Sequence, residues 1–230
     1  MIPQVFHRAW LGGQEPEWTR PFADTWRELH PAWELRQWGD AEVAELFPLR
    51  NQDIYDHAEE IAPNHVGQLR SDVVRYEILY RWGGVWVDTD FECLRPIDPL
   101  IEGAGAFAAW EEQDRWIANG LMGAVADHPF VSRLIEGVPA SVAAHIGQRP
   151  ARVTGPQYLT RMQRAYGGLD RILNQADVYP FNWREIEEFA PGQLDPASTW
   201  PNAVACHWWA NRRREKGISP HGAQGVPVAV

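Results

Sequence analysis

Short apolar runs closed by turn residues alternate with longer stretches in which apolar side chains return every three or four positions. That alternation predicts an α/β layer fold, with strands and helices following one another. "QVFHRAW", ended by Gly12 and Gly13, reads as a first strand and "WELRQWGD" as a second. Between them "RPFADTWRELHP" reads as a helix that stops before Pro31, because a proline ring crowds a helical residue ahead of it. "DAEVAEL" and "QDIYDHAEEIA" are predicted helical. The clearest helix is "NHVGQLRSDVVRYEILYRWGG", where Leu69, Val73, Tyr76 and Tyr80 fall at i, i+4, i+7 and i+11. It is predicted to end at Gly83 and Gly84, since glycine adopts the left-handed conformation of a helix terminus without steric cost.

"VWV" follows at once as a buried strand. Later strands or strand ends are predicted at "AFAAWEE", "ANGLMGAVA", "DVYPF" and "NAVACHWW", with helices near "PFVSRLIEG" and "GPQYLTRMQRAYG" opened by prolines. No internal repeat or linker divides the sequence, so one domain over residues 1–230 is expected. A hydrophobic content of 45% suffices for one substantial core in a chain of that length.

Charge narrows the partners. A formal net charge of -10 argues against binding nucleic acid, which rests on many cationic contacts to phosphate. Lys216 is the only lysine, so a bound anion would meet arginine forks. Cys93 and Cys206 are too few for a disulfide framework, which fits a reducing compartment. The N-terminus does not read as a secretory signal, and no run approaches the roughly 18 apolar residues that span a bilayer. A cytoplasmic protein is expected, with peripheral membrane contact left open.

The chemistry concentrates in "RWGGVWVDTDFECL", residues 81–94. Asp88 and Asp90 stand at the carboxyl end of a predicted strand, the edge at which open α/β sheets place their ligands. Two carboxylates at i and i+2 beside a buried strand repel each other and lose hydration unless a cation compensates. Mg²⁺ or Mn²⁺ suits such oxygen donors and leaves coordination positions for a nucleotide diphosphate. A bare D-x-D is most often a surface turn; its setting here argues otherwise. Asp72 and Arg75, three apart on the preceding helix, either project toward the same edge or simply pair with each other.

"SDVVRYEILYRWGGVWVDTD" resembles the DXD-containing sugar-binding region of glycosyltransferase family 32. "IPQVFHRAWLGG", "NGLMGAVADHPFV", "TGPQYLT" and "ACHWW" resemble further family segments in the same order. The resemblance implies a GT-A fold with a Rossmann-like central mixed sheet flanked by helices. It also implies a UDP- or GDP-sugar donor, Mn²⁺ or Mg²⁺, a hydroxyl-bearing acceptor of carbohydrate type, and retention of anomeric configuration. Carried over by position, Asp88, Asp90 and His207 would hold the metal, and Asp72, Arg75 and Asn119 the transferred sugar. Trp10, Leu11, Trp86 and Thr89 would line the donor pocket, and Thr154 with Gly155 would approach the acceptor. On this reading Asp90→Ala abolishes metal-dependent donor binding and leaves the fold largely intact.

Each assignment has a plainer rival. Trp10 and Trp86 are two of thirteen tryptophans and serve equally as core filling. His207 reads as a hydrogen-bonded strand residue, and "RRREK" at 212–216 as a solvated face or as forks over phosphates. Two other functions compete: a nucleotide-sugar binding domain without turnover, and a Mg²⁺-dependent D-x-D phosphatase. The phosphatase needs a lysine where this chain offers only Lys216, and Glu92 departs from its motif. Glu111 and Glu112 follow a predicted strand, yet no spacing ties either to an anomeric carbon.

Overall fold

The computed structural model describes residues 1–219, and it begins with the predicted β-α-β unit. β1 (Val5–Ala9) pairs in parallel with β2 (Glu34–Trp38), and α1 (Arg20–Leu29) connects them. α1 buries Phe22, Ala23 and Trp26, one face of its 3.6-residue period. α2 (Asp40–Ala44), α3 (Gln52–Asp56) and α4 (Ala58–Ile61) follow as short turns. The single helix predicted over "QDIYDHAEEIA" breaks at His57, whose ring meets the Asp53 carbonyl at 2.8 Å.

α5 (Val66–Trp82) is the central helix. Leu69, Val73 and Tyr76 are buried as predicted, but Asp72, Arg75 and Glu77 are buried too, so the helix is enclosed nearly all round. It ends at Gly83 with φ +65°, and Gly84 follows at φ +93°. A Cβ on Gly84 would lie 2.6 Å from Val5 Cγ1, so the turn back into the sheet requires glycine there.

β3 (Gly84–Val87), β4 (Phe91–Cys93), α6 (Asp98–Ile101), β5 (Ala106–Glu112) and β6 (Trp116–Ala124) come next. Then follow α7 (Pro129–His145), α8 (Pro150–Val153), α9 (Pro156–Tyr166), β7 (Arg171–Leu173) and α10 (Gln175–Val178). α11 (Pro196–Thr199), β8 (Ala205–His207) and α12 (Ala210–Glu215) complete the order. "DVYPF", predicted as a strand, is instead the end of α10 and a loop. The Tyr179 N–H closes that helical turn on Gln175, and Pro180 has no N–H for a ladder.

The main sheet has six strands in the order β2-β1-β3-β6-β5-β7 and is mixed: β6 runs antiparallel to β3 and β5, and the other pairs are parallel. Along β3, Val85 and Val87 face one apolar cluster with Phe6, Trp26 and Phe91, while Trp86 faces the other with Val73, Leu134 and Leu159. β4 and β8 pair antiparallel as a separate ribbon, with Phe91 opposite His207. No helix among the described residues is long and apolar enough to cross a membrane.

Candidate functional site

The chain leaves β1 toward β2 on one side and returns through α5 to β3 on the other, which opens a crevice at the carboxyl ends of β1 and β3. A cleft of about 620 Å³ lies there. Trp10, Leu11, Asp72, Arg75, Asp88, Thr89, Asp90, Asn119 and His207 all line it. Trp86 does not. It is fully buried beneath the cleft, where its indole N–H donates to Asp88 Oδ1 at 2.8 Å and its ring lies 4.9 Å from the Arg75 guanidinium carbon. The tryptophan expected to touch the donor is therefore a brace for the two side chains that do face the cleft.

Arg75 organises one end of the site. Its Nη2 lies 3.0 Å from Asp88 Oδ1 and 3.3 Å from Asp72 Oδ1, and its Nη1 donates to the Asn119 carbonyl. The two aspartates more than reverse the lowering that burial imposes on its pKa, so it stays charged. The pair predicted at i, i+3 thus exists, but as part of a larger network. Asp72 accepts from the Asn119 amide at 2.9 Å and from the Thr154 hydroxyl at 2.7 Å. Burial pushes its carboxyl up to about 6, against the pull of Arg75 and these hydrogen bonds. Thr154 is fully buried behind Asp72, and neither it nor Gly155 lines the cleft, although Pro156 does. Gly120 leaves room in front of Asp88, since a Cβ there would come within 2.9 Å of its Oδ2.

Asp90 organises the other end. One oxygen meets His207 Nε2 at 3.0 Å, and the other accepts from the Ala210 N–H at 2.8 Å, at the start of α12. Burial raises the carboxyl's pKa, but His207 and these hydrogen bonds outweigh it and the net shift is downward. Burial opposes the charged form of His207 as well, and Asp90 reverses this to a net rise. Asp90 consequently carries structure, which corrects the expectation that Asp90→Ala would spare the fold. The ring of His207 stacks on Phe91 at 4.6 Å, with Tyr179 and Trp209 against it edge-on.

Sequence reasoning missed Tyr179 and Arg149 as cleft residues; Glu111, and Arg212, Arg214 and Glu215 of the run weighed as phosphate forks, line the cleft as well. Glu215 bridges Arg149 at 3.2 Å and Arg212 at 2.9 Å. The "RRREK" run splits by its helical register: Arg212 and Arg214 reach the cleft, while Arg213 is buried and donates to the carbonyls of Trp208, Ile186 and Phe189. Neither solvated face nor phosphate fork describes Arg213.

Among the described residues no three His, Cys, Asp or Glu side chains form a ready-made metal cage. The donor set nonetheless fits a hard divalent cation. Asp88 keeps a side chain 30% exposed to the cleft, Asp90 supplies a second carboxylate, and His207 has a buried Nδ1 without a hydrogen-bond partner. The two carboxylates are the oxygen donors that Mn²⁺ and Mg²⁺ prefer, whereas the imidazole alone would favour Zn²⁺, Cu²⁺ or Fe²⁺.

The family model for a glycosyltransferase sugar-binding region containing a DXD motif matches residues 16–106. Inositol phosphoceramide mannosyltransferase 3 of Schizosaccharomyces pombe is 32% identical over 231 residues, covering 91% of this chain and 60% of that protein. The chain thus spans less than two thirds of that relative's length. Among solved structures, the PaToxG glycosyltransferase superposes with a TM-score of 0.59 at 13% identity, covering 74% of this chain and 72% of that one. The UDP-bound glycosyltransferase domain of the YGT toxin gives 0.51 at 10% identity, covering 75% and 79%.

Proposed function

Since the chain is a glycosyltransferase family 32-like protein with a GT-A fold, we propose that it moves a hexose from a nucleoside-diphosphate sugar to a hydroxyl acceptor, retaining configuration and requiring a divalent metal. One observation carries the reading: Arg75 ties Asp72 and Asn119 to Asp88 in the same cleft that holds the Asp90–His207 pair. Sugar-binding groups and diphosphate-binding groups thereby share one wall.

Asp72 is fixed from three sides, so its remaining lone pairs are pre-aimed at sugar hydroxyls without reorganisation on binding. Arg75 is held rigid by the two aspartates and presents a fixed positive charge. Trp10, edge-on to Trp18, offers a face at the cleft mouth for a nucleobase. Arg212 and Arg214 bring cationic forks to the side where a diphosphate would lie. Asp88, Asp90 and His207 would hold a divalent cation, which would supply charge neutralisation to a departing diphosphate. In the proposed transfer the acceptor oxygen bonds the anomeric carbon on the face the phosphate oxygen leaves, and that oxygen takes the hydroxyl proton. Glu112 is engaged by Arg115 at 2.8 Å and is not offered as a nucleophile.

Mannose, glucose and galactose donors in UDP and GDP form, incubated with Mn²⁺ and hydroxyl acceptors, test the reading. Release of nucleoside diphosphate with a glycosylated product is expected, lost in Asp88→Asn with circular dichroism unchanged. Release of inorganic phosphate instead would identify a phosphatase. Tight donor binding without turnover would identify a binding domain, and a sugar trapped on a side chain would overturn the one-step transfer.

A further inference from the structure

A second cavity, of about 190 Å³, lies on α1's side of β1 and is separate from the cleft. Arg8 of β1 and Gln37 of β2 are direct neighbours in the parallel register, and both line it. Arg8 is 2% exposed and has a buried Nε without a partner; the buried Gln37 Nε2 is likewise unpartnered. Leaving such donors unmet costs on the order of 1–3 kcal/mol each, so they are built for something that fills the space between them.

The charge around the cavity is positive. Arg8, Arg20 and Arg27 line it against Glu15 and Asp24. Arg8 lies 3.5 Å from Glu15 and Arg27 lies 2.8 Å from Asp24, while Arg20 has no ion pair among the described residues. Glu15 is further held by the Thr19 hydroxyl at 2.6 Å. One arginine without an ion pair thus lines the same cavity as the two residues that carry unpartnered N–H groups. We propose that this cavity binds a phosphate group, either free or as a small monoester, through Arg8 Nε, Gln37 Nε2 and the Arg20 guanidinium. The ligand would sit one side chain from the acidic turn, because Arg8 Nη2 also donates to the Thr89 carbonyl at 3.0 Å. This inference stands whether or not the transfer reading holds.

The full chain is titrated with inorganic phosphate, and separately with glycerol phosphate, in a calorimeter at ionic strength held constant with chloride. One saturable site is expected, its affinity falling about tenfold or more in Arg20→Ala combined with Gln37→Leu. Both positions are peripheral to the core, and an unchanged melting temperature in chloride confirms folding. Arg212→Ala combined with Arg214→Ala, in the cleft, should leave this affinity unchanged. Binding of both ligands supports a monoester site, and binding of inorganic phosphate alone supports a free-phosphate site. The proposal is overturned by equal affinity in the Arg20–Gln37 variant, by loss in the cleft variant, or by no saturable heat, which would leave ordered water as the occupant.

Discussion

Replacing Thr154 by valine removes one hydroxyl from the interior and tests how the buried carboxylate of Asp72 is kept charged. The Thr154 hydroxyl supplies Asp72 Oδ2 with a donor at 2.7 Å, and both residues are buried. Valine keeps the shape and leaves Oδ2 facing apolar surface. A hydrogen bond to a charged acceptor contributes about 1.5–3 kcal/mol. At about 1.36 kcal/mol per pH unit, its loss lifts the Asp72 titration by about 1–2 units from its present position near 6. The sign follows from proton counting. Asp72 titrates near 6 when folded and near 3.8 when unfolded, so the native state alone holds the proton between those values. Its contribution to stability therefore falls as pH rises through that window, by on the order of 3 kcal/mol, and is level above it. In Thr154→Val the fall should continue to about pH 7–8. Urea unfolding of both proteins from about pH 5 to 8 should show a difference that is small at the acid end and grows to about 1.5–3 kcal/mol at the alkaline end. A difference that does not change with pH would refute the reasoning.

Three further outcomes are expected. Trp86→Phe keeps a buried ring and removes the indole donor to Asp88, so calorimetric affinity for a nucleotide sugar with Mn²⁺ should drop about tenfold, for roughly 1.4 kcal/mol of lost orientation. Arg213→Ala should cost on the order of 3 kcal/mol in urea unfolding, because three backbone carbonyls lose their donor, whereas Arg212→Ala should cost well under 1. In metal-free protein the Asp90–His207 pair contributes stability from above the ordinary carboxylate value of 3.8. That contribution fades as pH climbs past 6.5 and through the raised imidazole titration. His207→Gln should therefore narrow its stability gap to the parent at alkaline pH, measured by denaturant midpoint.

The elements legible in the sequence were those with a strong period or a sharp stop. α5 and its glycine pair, the β1-α1-β2 unit and the strand leading to Asp88 follow from local steric and burial rules, which act within a few residues. β7 has three residues and β4 three, too few for a periodic signal, and their pairing depends on partners far along the chain. The site shows the same division. The acids were found because strand and carboxylates adjoin in sequence. The burial of Trp86 was one of two readings, core filling or donor pocket, and local alternation along β3 could not choose between them, because which face of the sheet borders the cleft is a tertiary fact. Arg213 was misread because a run of arginines carries no mark of its helical phase until Trp209, at φ +57°, fixes where α12 begins.

The ribbon of β4 and β8 has a consequence for synthesis. Asp90 receives its imidazole from position 207 and its amide from position 210, more than a hundred residues downstream. A nascent chain can lay down all six strands of the main sheet and still have that carboxylate bare, because β7 ends at Leu173. Until Ala205 and the residues after it are made, Asp90 lacks both its imidazole and its amide partner. The acidic turn is completed only by residues made after every strand of the main sheet.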